Sequence, residues 1–188
     1  MSTGWIVGGV IAVVVLAVIA IYNGLVRLKV QSQNAWADID VQLKRRHDLV
    51  PNLVETVKGY AGHERSTLEA VIAARNRAVA AQGPGAKAEA EGVLSGALKS
   101  LFALSESYPQ LRAVEGFTSL QGSLQEIEDQ IGSARRYYNA VVRDLNTKIA
   151  QFPHSIIAGA FGFQPREFFE LAGAEREAPK VSFSPPAA

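Results

Sequence analysis

No charged side chain occurs before Arg27, and residues 5–21 consist almost wholly of Ile, Val, Leu, Ala and Gly. A helix crosses the hydrocarbon of a bilayer with about 20 apolar residues at ~1.5 Å each. Residues 2–22 meet that requirement, so residues 1–24 are expected to form a single-pass transmembrane anchor. The rival reading is a cleaved secretory signal, for which Val18-Ile19-Ala20 would serve as the small-residue cleavage site. A signal wants a basic segment ahead of its apolar core, however, and Met1-Ser2-Thr3-Gly4 has none. Trp5 and Tyr22 bracket the run, as amphipathic rings do at the two headgroup levels. Arg27 and Lys29 follow closely, and Lys44, Arg45 and Arg46 come later, whereas the N-terminal flank carries no basic side chain. Positive charge resists translocation, which predicts a cell-membrane protein with its N-terminus outside and the rest in the cytoplasm. Gly4 and Gly8 make one small-xxx-small pair, through which two copies could pack as a homo-oligomer. Glycine is also common in spanning helices without any such role.

Beyond the anchor, 19 basic and 18 acidic residues nearly cancel, so the chain has no electrostatic footprint for a polyanion and nucleic acid is not an expected partner. With no cysteine, disulfides, thiolate nucleophiles and Cys-ligated metal sites are excluded together.

Apolar positions from Phe117 onward run Leu120, Leu124, Ile127, Ile131, Ala134, Tyr138, Val141, Leu145, Ile149 and Phe152, in steps of three and four almost throughout. This is the pattern of a long amphipathic helix. Thr118-Ser119-Leu120-Gln121 offers a capping box near its start, and Pro153 should end it. A first helix through Leu25, Leu28, Trp36, Ile39 and Leu43 is expected to continue directly from the anchor. A second should carry Leu53, Val57, Ala61, Leu68, Val71 and Ala78, capped by Asp48 with Pro51 in its first turn. A third uses Ala90, Leu94, Leu98, Leu101 and Leu104. Breaks are expected at residues 47–50, at Gln82-Gly83-Pro84-Gly85 and at 108–116. Short connections favour antiparallel neighbours, so the expected fold is all-α, an antiparallel up-down four-helix bundle over residues 25–153.

Residues 154–172 form an apolar, aromatic segment expected near the membrane. The stretch 152–169 holds five of the eight phenylalanines, Phe152, Phe161, Phe163, Phe168 and Phe169. Either it folds back and closes the membrane-proximal end of the bundle, or part of it lies in the lipid interface with Arg166 near the headgroups. Trp5, Tyr22, Phe161 and Phe168 are the candidate interfacial rings. Residues 173–188 read as a disordered Pro- and Ala-rich tail.

The run Asn34-Ala35-Trp36-Ala37-Asp38-Ile39-Asp40-Val41-Gln42-Leu43-Lys44-Arg45-Arg46-His47-Asp48-Leu49-Val50-Pro51-Asn52-Leu53-Val54-Glu55-Thr56-Val57-Lys58-Gly59-Tyr60 resembles the signature stretch of the LemA family. Ala134-Arg135-Arg136-Tyr137-Tyr138-Asn139 and Phe152-Pro153 are similar to its second block, and the likeness reaches the Pro179-Lys180-Val181-Ser182-Phe183 tail. The resemblance implies a bacterial membrane protein with an N-terminal span and an antiparallel helical bundle. It implies no reaction.

No motif for chemistry stands up to its own geometry. His63-Glu64 begins like a zinc-protease helix, but position 67 is Thr where the second His must stand. A di-iron bundle needs Glu three residues before His, and before His47, His63 and His154 stand Lys44, Tyr60 and Gln151. Gly83-Pro84-Gly85 lacks the lysine of a phosphate loop. Asp40, Glu64 and Arg135 do fall on or beside the apolar stripes, at similar heights if the helices run up and down. Charges there are costly unless paired, so they are expected to form a structural polar layer. The expected function is a membrane-tethered scaffold or protein-interaction module that binds membrane lipid and other proteins, with no cofactor, no metal and no enzymatic activity. The alternative is a small-molecule or ion sensor using the same three residues.

Overall fold

Period and length argue for helices throughout, and the computed structural model, which describes residues 3–170, is all-helical, with no strand among them. Its six helices are α1 (Thr3–Ala61), α2 (Arg65–Ala80), α3 (Pro84–Ser105), α4 (Pro109–Arg112), α5 (Glu115–Ala150) and α6 (His154–Ala160). Residues 171–188, including the predicted tail, lie outside the described residues.

The anchor does continue into the domain without interruption, but it continues further than the sequence reading allowed. No break occurs at residues 47–50; Asp48 caps nothing, and Pro51 lies inside α1. Proline within a helix removes one N–H and crowds the preceding turn, at a cost of about 3 kcal/mol. Against this stand Val50, Leu53, Val54 and Val57, all buried on the continuing face, each worth roughly 1.5–3 kcal/mol. Burial outweighs the proline penalty, and the apolar register runs straight through it.

The chain turns instead at Gly62-His63-Glu64, where the Glu64 N–H donates to the Ala61 carbonyl at 3.0 Å. A Cβ on Gly62 would stand 2.9 Å from the Lys58 backbone oxygen, so the tight exit from α1 needs glycine. The predicted second helix is thereby divided: Leu53, Val57 and Ala61 close α1, and Leu68, Val71 and Ala78 lie on α2, all six buried as expected. Gly83 adopts φ 81° and ψ 160° ahead of Pro84, a conformation essentially reserved for glycine, and separates α2 from α3 at the predicted place. The capping box at Thr118 is not used. Helix α5 begins at Glu115, and the Thr118 hydroxyl donates back to the carbonyls of Arg112 and Val114, at 3.3 and 3.4 Å. The earlier start buries Phe117 and puts a carboxylate in the first turn, where the helix dipole favours it.

The residues fall into two compact units. Of the described residues, the first takes 3–49 together with 121–168, and the second takes 50–120 with 169 and 170. In the first unit α1 contributes Leu25, Ala35, Ile39 and Leu43 to the core and α5 contributes Leu124, Ile127, Ile131, Tyr138, Val141, Val142 and Leu145. In the second, α2 packs on α3 through its buried face of Leu68, Val71, Ala74 and Ala78. Leu94, Leu98 and Leu101 are buried on α3, and the Phe102 and Phe117 rings meet edge to face at 6.3 Å. Arg77 and Glu89 pair at 2.6 Å near the α2–α3 turn, on the surface, where such a pair adds little stability.

Candidate functional site

Of the three residues predicted to make a polar layer, two share a unit. Asp40 is exposed on α1 and Arg135 half-buried on α5, both in the first unit. The Trp36–Tyr138 ring contact (5.5 Å) and the Arg46–Glu128 ion pair (3.0 Å) bracket them on the two helices. Glu64 is half-buried in the second unit and accepts a hydrogen bond from the Tyr108 hydroxyl at 3.2 Å. That bond to a carboxylate, helped by desolvation and by the nearby charge, holds the Tyr108 hydroxyl above its ordinary pKa of 10.0.

Two deeply buried charged residues, Glu91 on α3 at 2% exposure and Arg46 on α1, were not among the predicted ones. Arg46 is only 5% exposed and reaches the half-exposed Glu128 carboxylate, with His47 also buried beside it in sequence. One turn before Arg46, the Gln42 side-chain oxygen is buried without a hydrogen-bond partner. Spacing could have found Arg46, since it lies three residues after Leu43 and seven after Ile39 and so shares their face. It read instead as one of three consecutive basic residues. A guanidinium buried this deeply is costly unless paired, and the Glu128 carboxylate supplies the partner. Among the described residues no group of three or more His, Asp or Glu gathers that could hold a metal ion.

A second constellation lies where the apolar part of α1 ends. After α6 the chain runs on without helix or strand over residues 163–170 and is fastened to α5 by side chains. Asn146 donates through Nδ2 to the Arg166 carbonyl at 2.9 Å and accepts the Arg166 N–H through Oδ1 at 2.8 Å. The buried Tyr138 hydroxyl donates to the Glu167 carbonyl at 2.9 Å. Burial pushes the Tyr138 hydroxyl above 10.0; the Arg166 charge opposes this and Glu167 adds to it. Strapped this way, the segment sets Phe161 and Phe163 against the Tyr22 ring, at 4.8 and 5.8 Å, with the Lys29 ammonium 5.8 Å from the Phe163 centroid. Beneath the rings Leu25, Leu145 and Ala158 form a small buried core lined by Ile21, Leu28 and Ile149. Of the predicted interfacial rings, Trp5, Tyr22 and Phe161 are exposed and Phe168 is half-buried.

The same helices and the same strapped segment fall within one family pattern, for the LemA family model matches residues 35–183. The chain belongs to the LemA family. Two relatives illustrate the spread. Magnetosome protein MamQ 2 of Paramagnetospirillum magneticum is 29% identical over 175 residues, covering 79% of this chain and 64% of that protein. Protein LemA of Metamycoplasma hominis is 26% identical over 158 residues, covering 82% of this chain and 71% of that protein. This LemA family chain therefore spans less than two thirds of the length of its magnetosome relative. The family match takes in the Arg46–Glu128 pair and the aromatic strap but begins after the apolar stretch. The case for membrane association rests on α1 itself, which is long and apolar enough near the N-terminus to cross a bilayer and has none of its apolar window buried.

Proposed function

We propose that this LemA family chain is a single-pass, membrane-anchored interaction module whose helices form an antiparallel bundle on the cytoplasmic side and which carries out no catalysis. The observation that supports it is the unbroken course of α1 from a bare apolar stretch into a buried core face. A helix that serves both as anchor and as core element holds a folded surface at a set distance from lipid. The antiparallel arrangement draws support from the first unit, where partners Leu25–Leu145, Gln31–Tyr137 and Arg46–Glu128 rise along α1 as they fall along α5. The role of the magnetosome relatives does not transfer, because the match leaves more than a third of their length uncovered.

Crosslinking in native membranes tests the proposal, with the full chain compared against its first 24 residues alone. A partner captured by the full chain and absent from the anchor control supports the module; identical capture by both would sink it. The sensing alternative starts from Asp40 and Arg135 in the first unit and from Glu64, which accepts from Tyr108 in the second. It would gain if a small molecule or ion raised the melting temperature of the full chain and Arg135→Ala removed that rise.

A further inference from the structure

Three large apolar side chains stand in water at one end of the first unit: Phe152 is 80% exposed, Ile156 60% and Phe161 57%. They come from α6 and its two flanks, within ten residues of one another. They are displayed rather than loose, because the Asn146 and Tyr138 hydrogen bonds fix the strap behind them and Ala158 is buried against Leu25 and Leu145.

Their height relative to the bilayer follows from α1. Residues 3–17 are exposed throughout, and at ~1.5 Å per residue this bare stretch covers about 22 Å of a hydrocarbon core about 30 Å thick. The remaining length must come from the next turns, where Val18 and Ile21 are half-buried and Tyr22 meets Phe161 and Phe163. About 20 residues counted from Thr3 end at Tyr22. The aromatic strap thus sits at the level where hydrocarbon gives way to headgroups.

Charge points the same way. No Asp or Glu occurs before Asp38, and none between Asp144 and Glu167. The two stretches that meet at this end carry Arg27, Lys29, Lys148 and Arg166. Basic side chains beside exposed aromatic and aliphatic groups are the composition of an element that lies in the interface and favours anionic lipid.

We propose that Phe152, Ile156 and Phe161 insert at the headgroup–acyl boundary of the bilayer that α1 enters, with Arg27, Lys29, Lys148 and Arg166 against anionic headgroups, as a second membrane contact. This rests on the anchored reading of α1.

The full-length chain has no cysteine, so single substitutions can carry a fluorophore at one known place. Ile156→Cys and Phe161→Cys report the contact, Leu16→Cys the span and Val41→Cys, exposed on α1 well beyond it, the aqueous reference. The labelled proteins are reconstituted in phosphatidylcholine vesicles with a minority of phosphatidylglycerol. A lipid quencher near the headgroups should quench the labels at 156 and 161 at least about threefold more than the label at 41. Omitting phosphatidylglycerol should reduce that difference, and a difference indifferent to lipid charge overturns the role of the basic residues. Labels at 156 and 161 that match position 41 while position 16 stays quenched overturn the second contact and leave the anchor standing. If position 16 is also unquenched, the anchor reading itself fails. Labels shielded from both lipid and aqueous quenchers show that a second protein copy covers the patch, which likewise overturns the proposal.

Discussion

Removing the Asn146 side chain should release the aromatic strap without dismantling the helices. Asn146→Ala deletes both a donor to the Arg166 carbonyl and an acceptor for its N–H, at 2.9 and 2.8 Å. A hydrogen bond is worth a net ~1 kcal/mol, and Arg166 is half-buried, so water can reach part of what is left unpaired. The expected loss is about 2 kcal/mol, concentrated in the strap because α5 keeps its own backbone bonds. That corresponds to roughly a 30-fold rise in the open population of residues 161–168. Hydrogen exchange of the reconstituted full chain, read on peptides covering 161–168 and on α5, measures it directly. Asn146→Asp should fall between, since it keeps the acceptor for the Arg166 N–H but sets a carboxylate against the Arg166 carbonyl. Unchanged protection of the strap, or an equal loss spread over α5, would refute the assignment of these two bonds as its fastening.

Four further outcomes follow from the same geometry. Tyr138 has its hydroxyl pKa raised above 10.0 by burial, so the folded state holds that proton more tightly than the unfolded one; its contribution is complete below about pH 10 and is lost as pH rises through the folded value. Denaturation midpoints should therefore fall above pH 10 in the parent and fall less in Tyr138→Phe, which should also cost about 1 kcal/mol at neutral pH for the lost bond to Glu167. Arg135→Ala, at a half-buried position, should lower the midpoint more than Arg136→Ala, whose exposed side chain meets Ser133, by about 1 kcal/mol or more. Gly83→Ala should cost roughly 1–3 kcal/mol, because φ 81° with ψ 160° strains any residue with a Cβ; a melting curve within error of the parent would show that the turn relaxes. A reporter fused after Ala188 should be active in the cytoplasm, and activity confined to the outer side would reverse the proposed orientation.

The apolar register was legible because it depends only on period: Leu53, Val57, Ala61, Leu68, Val71 and Ala78 are buried as the spacing demanded. Helix ends were less legible, for they are decided by competition. Proline at 51 looked like a boundary until the burial of Val50, Leu53, Val54 and Val57 outweighed it, and the true turn lay at Gly62, whose close approach to the Lys58 carbonyl no local pattern announces. Arg46 was recoverable from its position on the Ile39–Leu43 face but was masked by its charged neighbours. The aromatic strap lay further out of reach. Its hydrogen bonds join Asn146 to Arg166 and Tyr138 to Glu167 across a segment without helical or strand period. Such contacts depend on where the helices bring the chain, and composition showed only that five phenylalanines needed cover.

The position of Leu25 decides what kind of anchor α1 makes. It is fully buried with Leu145 and Ala158 only three residues after Tyr22, less than one helical turn. A flexible tether would leave a run of exposed residues between lipid and core, and none exists here. On the proposed anchoring, the first unit would begin at the headgroups and its aromatic end would have lipid for a neighbour. Any protein partner is directed by the same proposal to surface further along α1 and α5, toward the Arg46–Glu128 pair, about 30 Å beyond Leu25 at ~1.5 Å per residue. On that proposal, the end of the first unit that meets lipid and the end free to meet protein would be separated along α1.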